Sequence, residues 1–304
     1  MRRKPIYVEI PIRADVNEVW EKTQTPEYHE QWDLRFSSIT YLPKKSEAEP
    51  QSFLYETNVG LGLKVAGWGK SIGTHNKTDG SKTSSLHFGT DQKISPIREG
   101  KGYWQYIPDD SGTTFLTQYD YDVRFGAFGR IFDVIFHPLM GWATALSFDV
   151  LKRWLEKGET PRTQYLRFFS VVGITLLFFF VWFYQGLVPK IIGIHPQEVA
   201  MLSQLSSIQG ATAKRMVGFI GLLEILIALI WLFYRKKQHL FALQIFIFPA
   251  LTLATIMAQP SSAVHPFNPI TFNASLWVLS IIGYFLSIDL PSARSCKRTR
   301  KGVS

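Results

Sequence analysis

The sequence predicts two folds in series. The first is an α+β domain in which an antiparallel sheet curls around one long helix, and the second is an all-α bundle of four transmembrane helices. Three observations carry this prediction. Up to about residue 160, apolar residues alternate with polar ones and are punctuated by Gly, Asp and Ser. From Phe168 onward they run continuously, almost without charge. A chain of 304 residues is also long enough for two domains. The mean hydropathy near zero is therefore the average of two unlike halves.

The first half reads as follows. Ile6, Val8, Ile10 and Ile12 alternate with Tyr7, Glu9 and Pro11, the pattern of a half-buried strand. Asp15 and Glu18 have capping-box spacing ahead of Val19 and Trp20, so a helix starts there. Thr25 and Pro26 start a second, short helix that ends near Trp32 and Asp33. Strand-like runs follow at 38–42, 52–59, 63–74, 83–89, 97–107 and 113–124. They are separated by turn signals such as Pro43-Lys44, Asp79-Gly80, Glu99-Gly100 and Asp109-Asp110-Ser111-Gly112. A long helix then runs from about 128 to 156. Ile131, Ile135, Leu139, Trp142, Leu146, Val150 and Trp154 form one apolar stripe along it, and Pro138 should kink it.

The second half holds four apolar runs, at 168–185, 216–234, 240–258 and 274–288. The first three approach the ~20 residues that cross a bilayer core, and the fourth reaches that length with its interfacial neighbours. Basic residues decide the orientation. Arg153, Lys157, Arg162 and Arg167 precede the first run, and Arg235, Lys236 and Lys237 separate the second from the third. Arg294, Lys297, Arg298, Arg300 and Lys301 follow the fourth. This bias puts both termini in the cytoplasm of a multi-pass inner-membrane protein. Trp182, Tyr184, Trp231, Tyr234 and Trp277 near the span ends fit an aromatic belt. Met1-Arg2-Arg3-Lys4 is basic, but no apolar h-region follows it, so no signal peptide is expected. The expected division is a cytoplasmic domain at 1–160, a linker at 161–167, the membrane domain at 168–290 and a basic cytoplasmic tail at 291–304.

The net charge of +9 reads as topology plus attraction to anionic lipid, because its clusters flank spans. No basic stripe marks a recognition helix, so nucleic acid is not an expected partner. The single cysteine, Cys296, rules out an intrachain disulfide, a redox pair and a cysteine zinc cluster. No metal is expected. Gly69-Lys70-Ser71 lacks the first glycine of a phosphate loop, and Gly67-Trp68-Gly69 lacks the third of a dinucleotide fingerprint.

The order strand, two short helices, six strands and long helix resembles the START-like superfamily (SRPBCC, polyketide cyclase/dehydrase-like). The segments IYVEIPIRADVNEVWEKTQTPEYHEQWDLRF and FGRIFDVIFHPLMGWATALSFDVLKRWLEKG carry that resemblance over residues 6–158. It implies a helix-grip fold with a cavity for a hydrophobic ligand, on which a minority of members act as enzymes. The number of aromatic rings supports a pocket of that kind. The candidate cavity residues are Trp32, Phe36, Tyr55, Trp68, Trp104, Tyr106, Tyr119, Phe125, Phe132, Phe136 and Trp142. Asp133 and His137, spaced i, i+4, read as a helix-surface pair.

Within the spans Glu224 is the one central ionisable residue, at a cost of ~2.5–3.5 kcal/mol unless it faces the bundle. Gln244 or a group in the first loop would pair it, and Gly218 and Gly221 would let helices approach. That loop, 185–198, is broken by Pro189 and Pro196 and carries Lys190, His195 and Glu198. The motifs Trp182, GLVPK at 186–190, HPQE at 195–198, GLLE at 221–224 and FNP at 267–269 resemble the DoxX-like family of four-helix membrane proteins, over residues 167–290. DoxX relatives are associated with quinone-linked chemistry. Haem would need histidines within facing spans, and these spans have none.

The expected function is therefore membrane-anchored binding of a lipid or quinone in the cytoplasmic cavity. No cofactor is required, although a quinone is compatible. Two other readings stand beside it. One is a quinone-linked oxidoreductase subunit with Glu224, Lys190 and His195 as catalytic candidates, and the other is an adaptor recruiting a redox partner protein.

Overall fold

A computed structural model describes residues 4–44, 46, 49–60 and 62–300, with the side chain of Val59 left out. Met1, Arg2, Arg3 and Lys301 of the basic clusters lie outside the described residues. The chain divides into two units. One comprises residues up to Gln164 together with those from Pro291 onward, and the other runs from Tyr165 to Leu290.

The first unit opens with β1 (Ile6–Ile12). It continues through α1 (Val16–Gln24), whose N-cap Asp15 accepts from the Asn17 backbone N–H, and α2 (Pro26–Trp32). Six strands follow: β2 (Ser38–Tyr41), β3 (Ser52–Gly60), β4 (Leu63–Asn76), β5 (Lys82–Gly89), β6 (Ile97–Asp109) and β7 (Gly112–Val123). They form one antiparallel sheet in the order β1-β7-β6-β5-β4-β3-β2. Consecutive hairpins build most of it, and β1 returns to pair with the last strand, Ile10 opposite Phe115. This is the order of one strand, two short helices and six strands expected from the sequence.

Gly67-Trp68-Gly69 lies in the middle of β4. Gly67 stands opposite Tyr55 and Gly69 opposite Phe53 in the register with β3. A Cβ built on either glycine would fall 2.3 Å or 2.2 Å from the facing ring. The bare backbone lets each ring lie on the neighbouring strand, so aromatic side chains pave the sheet without filling the space above it.

α3 (Gly126–Lys157) crosses this sheet. Its two halves differ, and the single apolar stripe expected for it is not one buried face. In the second half Ala145, Leu146, Phe148, Val150 and Leu151 are fully buried. Phe148 stacks on Phe115 with centroids 4.4 Å apart, and Trp32 meets both rings edge-on. In the first half Phe128, Ile131 and Ile135 are 76%, 71% and 72% exposed. That half is apolar on nearly every side, so burial of one face leaves the other apolar as well.

α3 ends at Gly158, which takes the left-handed conformation at φ 69°. α4 (Pro161–Gln185) starts three residues later, so 161–167 is helical. α4 continues without a break into a π-helical turn, Gly186–Ile192. The chain was expected to leave the helix at Gln185 for a loop broken by Pro189. A π turn relieves the clash between the proline ring and the preceding turn, and it keeps the helix going. Within this turn Gly186 meets Gly221 of α6 (Gly210–Phe233), and a Cβ on either would fall 2.5–2.6 Å from the other's carbonyl oxygen. Gly218, by contrast, faces open space. Between them runs an unexpected short helix, α5 (Pro196–Leu205), and α7 (Lys237–Ala258) and α8 (Pro269–Leu286) complete the unit. Among the described residues five helices are long and apolar enough to cross a membrane: α3, α4 with its π turn, α6, α7 and α8.

One polar side chain knits the second unit together. Gln244 of α7 is 2% exposed. With its amide oxygen turned toward them, it accepts from Trp182 Nε1 of α4 at 2.6 Å and Trp231 Nε1 of α6 at 3.2 Å. Its amide nitrogen then faces Ser280 Oγ of α8 at 3.4 Å, and that hydroxyl donates to the Leu276 carbonyl at 2.7 Å. Phe178, Phe241 and Phe248 pack around the two indoles. Gln244→Leu would strand two buried indole N–H groups. We expect it to destabilise the detergent-solubilised protein by ~1–3 kcal/mol, read as a lower melting temperature, whereas Gln244→Glu, which keeps the acceptor oxygens, should lose less.

Candidate functional site

A cavity of about 370 Å³ lies in the first unit between the concave sheet and α3. Strand alternation decides which side chains reach it. Phe53, Tyr55 and Thr57 of β3, Leu86 and Phe88 of β5, and Thr117 and Tyr119 of β7 share the inward phase. Leu139, Met140, Trp142 and Ala143 contribute the helical wall.

Of the eleven candidate residues, Phe36, Tyr55, Trp104, Tyr119, Phe136 and Trp142 line this space. The other five are placed elsewhere. Trp32 is buried in the packed core, where its Nε1 donates to the Lys22 carbonyl at 2.8 Å. Tyr106 stacks on Phe115 with its hydroxyl 2.6 Å from Thr23 Oγ1, which also places it in the core. Trp68 has the opposite strand phase and sits edge-on to His87 on the other face. Phe125, the residue before α3, and Phe132, on its apolar first half, are about half exposed.

The sequence reading missed the polar end of the cavity. Arg35 and His29 both line it, and Asp33 is buried beside them. Asp33 caps the end of α2, and the chain turns there, so residues two apart meet. Arg35 Nε donates to Asp33 Oδ1 at 2.9 Å, and Nη2 donates to Oδ2 at 2.6 Å. His29 Nε2 lies 3.1 Å from Asp33 Oδ2. The guanidinium also lies over the Phe36 and Tyr119 rings, 5.6 Å and 5.4 Å from their centroids. Thr57 holds the Arg35 carbonyl at 2.6 Å. Burial alone would raise the Asp33 pKa, but Arg35 and then His29 outweigh it and hold the carboxyl well below the usual range. Burial pushes the Tyr55 hydroxyl up to about 12, so it stays a neutral donor. A useful signal was present in the run Trp32-Asp33-Leu34-Arg35-Phe36, an oppositely charged pair between large apolar residues.

The site is thus a mainly apolar, ring-lined chamber with uncharged polar side chains such as Gln24, Gln51 and Ser84 in its wall and an ion-paired corner at Arg35. Two of the five guanidinium N–H groups serve Asp33. The arrangement can enclose a hydrophobic molecule and offer hydrogen-bond donors to its polar end.

In the second unit Lys190 and Glu224 come together. Lys190 Nζ is 3.1 Å from Glu224 Oε2 and 3.5 Å from Glu198 Oε1. The group that answers Glu224 is therefore in the first connection, and Gln244 is engaged with the indoles. His195 has a local role: it caps α5, its Nδ1 accepting from the Gln197 backbone N–H at 3.3 Å. On α3, Asp133 is buried and accepts from the Tyr121 hydroxyl at 2.8 Å. Among the described residues no cluster of three or more His, Cys, Asp or Glu side chains is placed to hold a metal.

Comparison with known proteins gives three findings. Residues 179–281 match the DoxX-like family. The membrane protein YndG of Bacillus subtilis (strain 168) is 40% identical over 307 residues, covering 99% of this chain and 100% of that one. Among solved structures, the first half is similar to a STAR-related lipid transfer protein fragment from Xanthomonas axonopodis (16% identity, 49% of this chain and 84% of that one, TM-score 0.37). It is also similar to the Zhui aromatase/cyclase of a Streptomyces species (11% identity, 52% and 98%, TM-score 0.37).

Two predictions follow from these buried pairs. Asp33→Asn should cost the first unit ~3–5 kcal/mol at neutral pH, because it leaves a buried guanidinium unpaired. Asp33 has its pKa lowered on folding, so its contribution is present above the unfolded value of ~3.9 and drains away as pH falls toward the folded one. Denaturation followed against pH should therefore show an acid limb in the wild type that is diminished in Asp33→Asn. In the membrane unit, Glu224→Gln should lower the melting temperature, and Lys190→Met in the same chain should recover part of that loss. Equal, additive losses in the two single variants would show that the pair is not coupled.

Proposed function

The chain belongs to the family of the membrane protein YndG and carries a DoxX-like module, and on that premise we propose that its first unit binds a hydrophobic small molecule drawn from the bilayer. The carrying observation is the chamber itself. Its volume of about 370 Å³ falls in the ~300–1,000 Å³ range of small-molecule sites, and its wall is mostly aromatic and aliphatic, with Gln24, Gln51, Ser71, Ser84 and the Arg35 corner as polar points. A lipid acyl chain or the ring of an isoprenoid quinone fits these walls. Each carries an oxygen acceptor that the remaining guanidinium N–H groups can meet.

The surface beside the chamber supports a membrane source. Phe136 and Leu139 line the chamber, while Phe128, Ile131, Val134 and Ile135 of the same stretch of α3 are exposed. Arg124 holds the β5–β6 connection against the start of this helix, its Nη2 donating to the Thr90 carbonyl at 2.6 Å. That connection presents Ile94, 58% exposed, next to Lys93. With Arg130 on α3, the patch has the apolar face and basic rim that suit an anionic lipid surface. The basic clusters flanking the spans favour the inner membrane with this unit in the cytoplasm.

The test is to purify the full-length protein in detergent and identify co-purifying hydrophobic molecules by mass spectrometry. Ala143→Phe, which projects a ring into the chamber, should cut the bound amount about tenfold or more while the melting temperature stays near that of the wild type. Equal amounts from wild type and variant would place the molecules in the detergent belt and overturn the proposal.

A further inference from the structure

The residues from Pro291 onward belong to the first unit and pass through a short 3-10 turn, Ala293–Ser295, into an extended stretch. Ser292 donates its backbone N–H to Asp149 Oδ2 at 2.7 Å. Cys296 Sγ donates to the Ala145 carbonyl at 3.2 Å. Lys297 pairs with Glu9 through two backbone hydrogen bonds of 2.9 Å, so the segment adds to the otherwise open edge of β1. The Lys297 ammonium reinforces this bridge at 2.6 Å from Glu9 Oε1. Arg298 Nη2 reaches the Pro138 carbonyl at 3.2 Å, over Gly141, where a Cβ would stand 2.8 Å from it.

These contacts fall on α3 at Pro138, Gly141, Ala145 and Asp149, spaced three or four apart and hence on one face of the helix. Leu139, Met140 and Ala143, on another face of the same stretch, form the chamber's helical wall. Between the two faces, Thr144 hydrogen-bonds the chamber residue Tyr119, Oγ1 to the phenol oxygen at 2.8 Å. The stretch that encloses the chamber is therefore the stretch that the returning segment holds from outside. Ahead of Pro138 the helix is held by the Tyr121 hydroxyl at Asp133, while Phe128, Ile131, Val134 and Ile135 are exposed.

We infer that the segment from Pro291 to Arg300 is a strap that fastens the outer face of α3 to the edge of β1, and that its release lets the helical wall of the chamber open. The strap is the direct continuation of the chain leaving α8, so any displacement of the end of α8 pulls on it. This couples the DoxX-like module to the exchange of ligand. The inference rests on the ligand reading for what the wall encloses, but the hold on α3 does not depend on it.

The chain's one thiol reports on the strap. Cys296 is 9% exposed, and burial pushes its pKa up to about 12, so a water-soluble maleimide should label it slowly while the strap is docked. The experiment uses the full-length protein in detergent micelles. Lys297→Pro removes the backbone donor to Glu9, and Arg298→Ala removes the reach to Pro138. Each should speed labelling of Cys296, and the two together by about tenfold or more. Hydrogen–deuterium exchange of amides 138–149 should quicken in the same variants, and Arg298→Ala, which leaves the β1 pairing intact, should be intermediate. Oleate, as a hydrophobic probe, should slow Cys296 labelling in the wild type and exchange faster from the strap variants. Wild-type labelling at the rate of a free thiol, or unchanged exchange at 138–149 in the double variant, would overturn the strap. Oleate that binds but leaves and enters at the same rate in both proteins would overturn the coupling. Oleate that fails to bind either protein, with the labelling contrast intact, would sink the ligand reading and uphold the strap.

Discussion

α3 is packed deep into the core at one end and largely exposed at the other, and the first unit is organised around that inequality. Its second half drives Leu146, Phe148, Val150 and Leu151 into the core with Trp32 and Phe115, at ~1.5–3 kcal/mol for each large side chain buried. This fixes the helix against β1 and β7. The first half would close onto the sheet if the space between could be filled. It is not filled, because the inward rings of β3 lie flat over glycines of β4 and because the Asp33–Arg35 pair resists collapse. An apolar chain cannot seal that corner without stripping two charges of their hydrogen bonds.

The same rule operates in the other solvent. In a bilayer, a polar group finds no water and must be met from within the protein. Gln244 meets two indoles, and Lys190 meets two carboxylates, one from α6 and one from α5. Each cluster joins elements that greasy packing alone would not distinguish, since lipid tails and leucines attract a helix about equally. Gln244 selects the mutual rotation of the four long helices. The Lys190 cluster ties the short α5 to the bundle. One ammonium bridges two carboxyl groups in that cluster, so its geometry suits a structural pin as well as it suits chemistry.

What was legible in the sequence was whatever repeats. The alternation of Ile6, Val8, Ile10 and Ile12, most of the turn residues between strands and the four apolar runs each report a local signal that the elements follow; Glu99-Gly100, expected as a turn, instead lies within β6, where it marks a register shift against β7. Position within the chamber depends instead on phase and on partners far along the chain. Trp68 faces away because it is one residue out of step with Gly67 and Gly69, and its composition gives no hint of that. Tyr106 has the right phase but stands opposite Phe115 in the register of β6 with β7, and Trp32 of α2 meets the same ring, so both belong to the packed end of α3. Arg35 was overlooked because a charged residue reads as surface until its partner is known to be buried. Pro189 misled in the opposite way, as the π turn absorbs a residue that normally ends a helix.

The return of the strap also bears on which apolar helices cross the bilayer. Gln164 and Pro291 belong to one compact unit, so the chain between them must cross an even number of times. α5, with ten residues, is about 15 Å long, half of the ~30 Å hydrocarbon core, and cannot contribute a crossing. α4 with its π turn, α6, α7 and α8 make four, which satisfies the parity. α3 lies before Gln164, and its second half is committed to the sheet, with Ala145 to Leu151 buried against strands. It therefore has the composition of a span without the freedom to be one. On the proposed docking to lipid, the apolar surface on its first half would be covered at the interface, where a helix can bury one face in lipid while its other face closes a protein cavity.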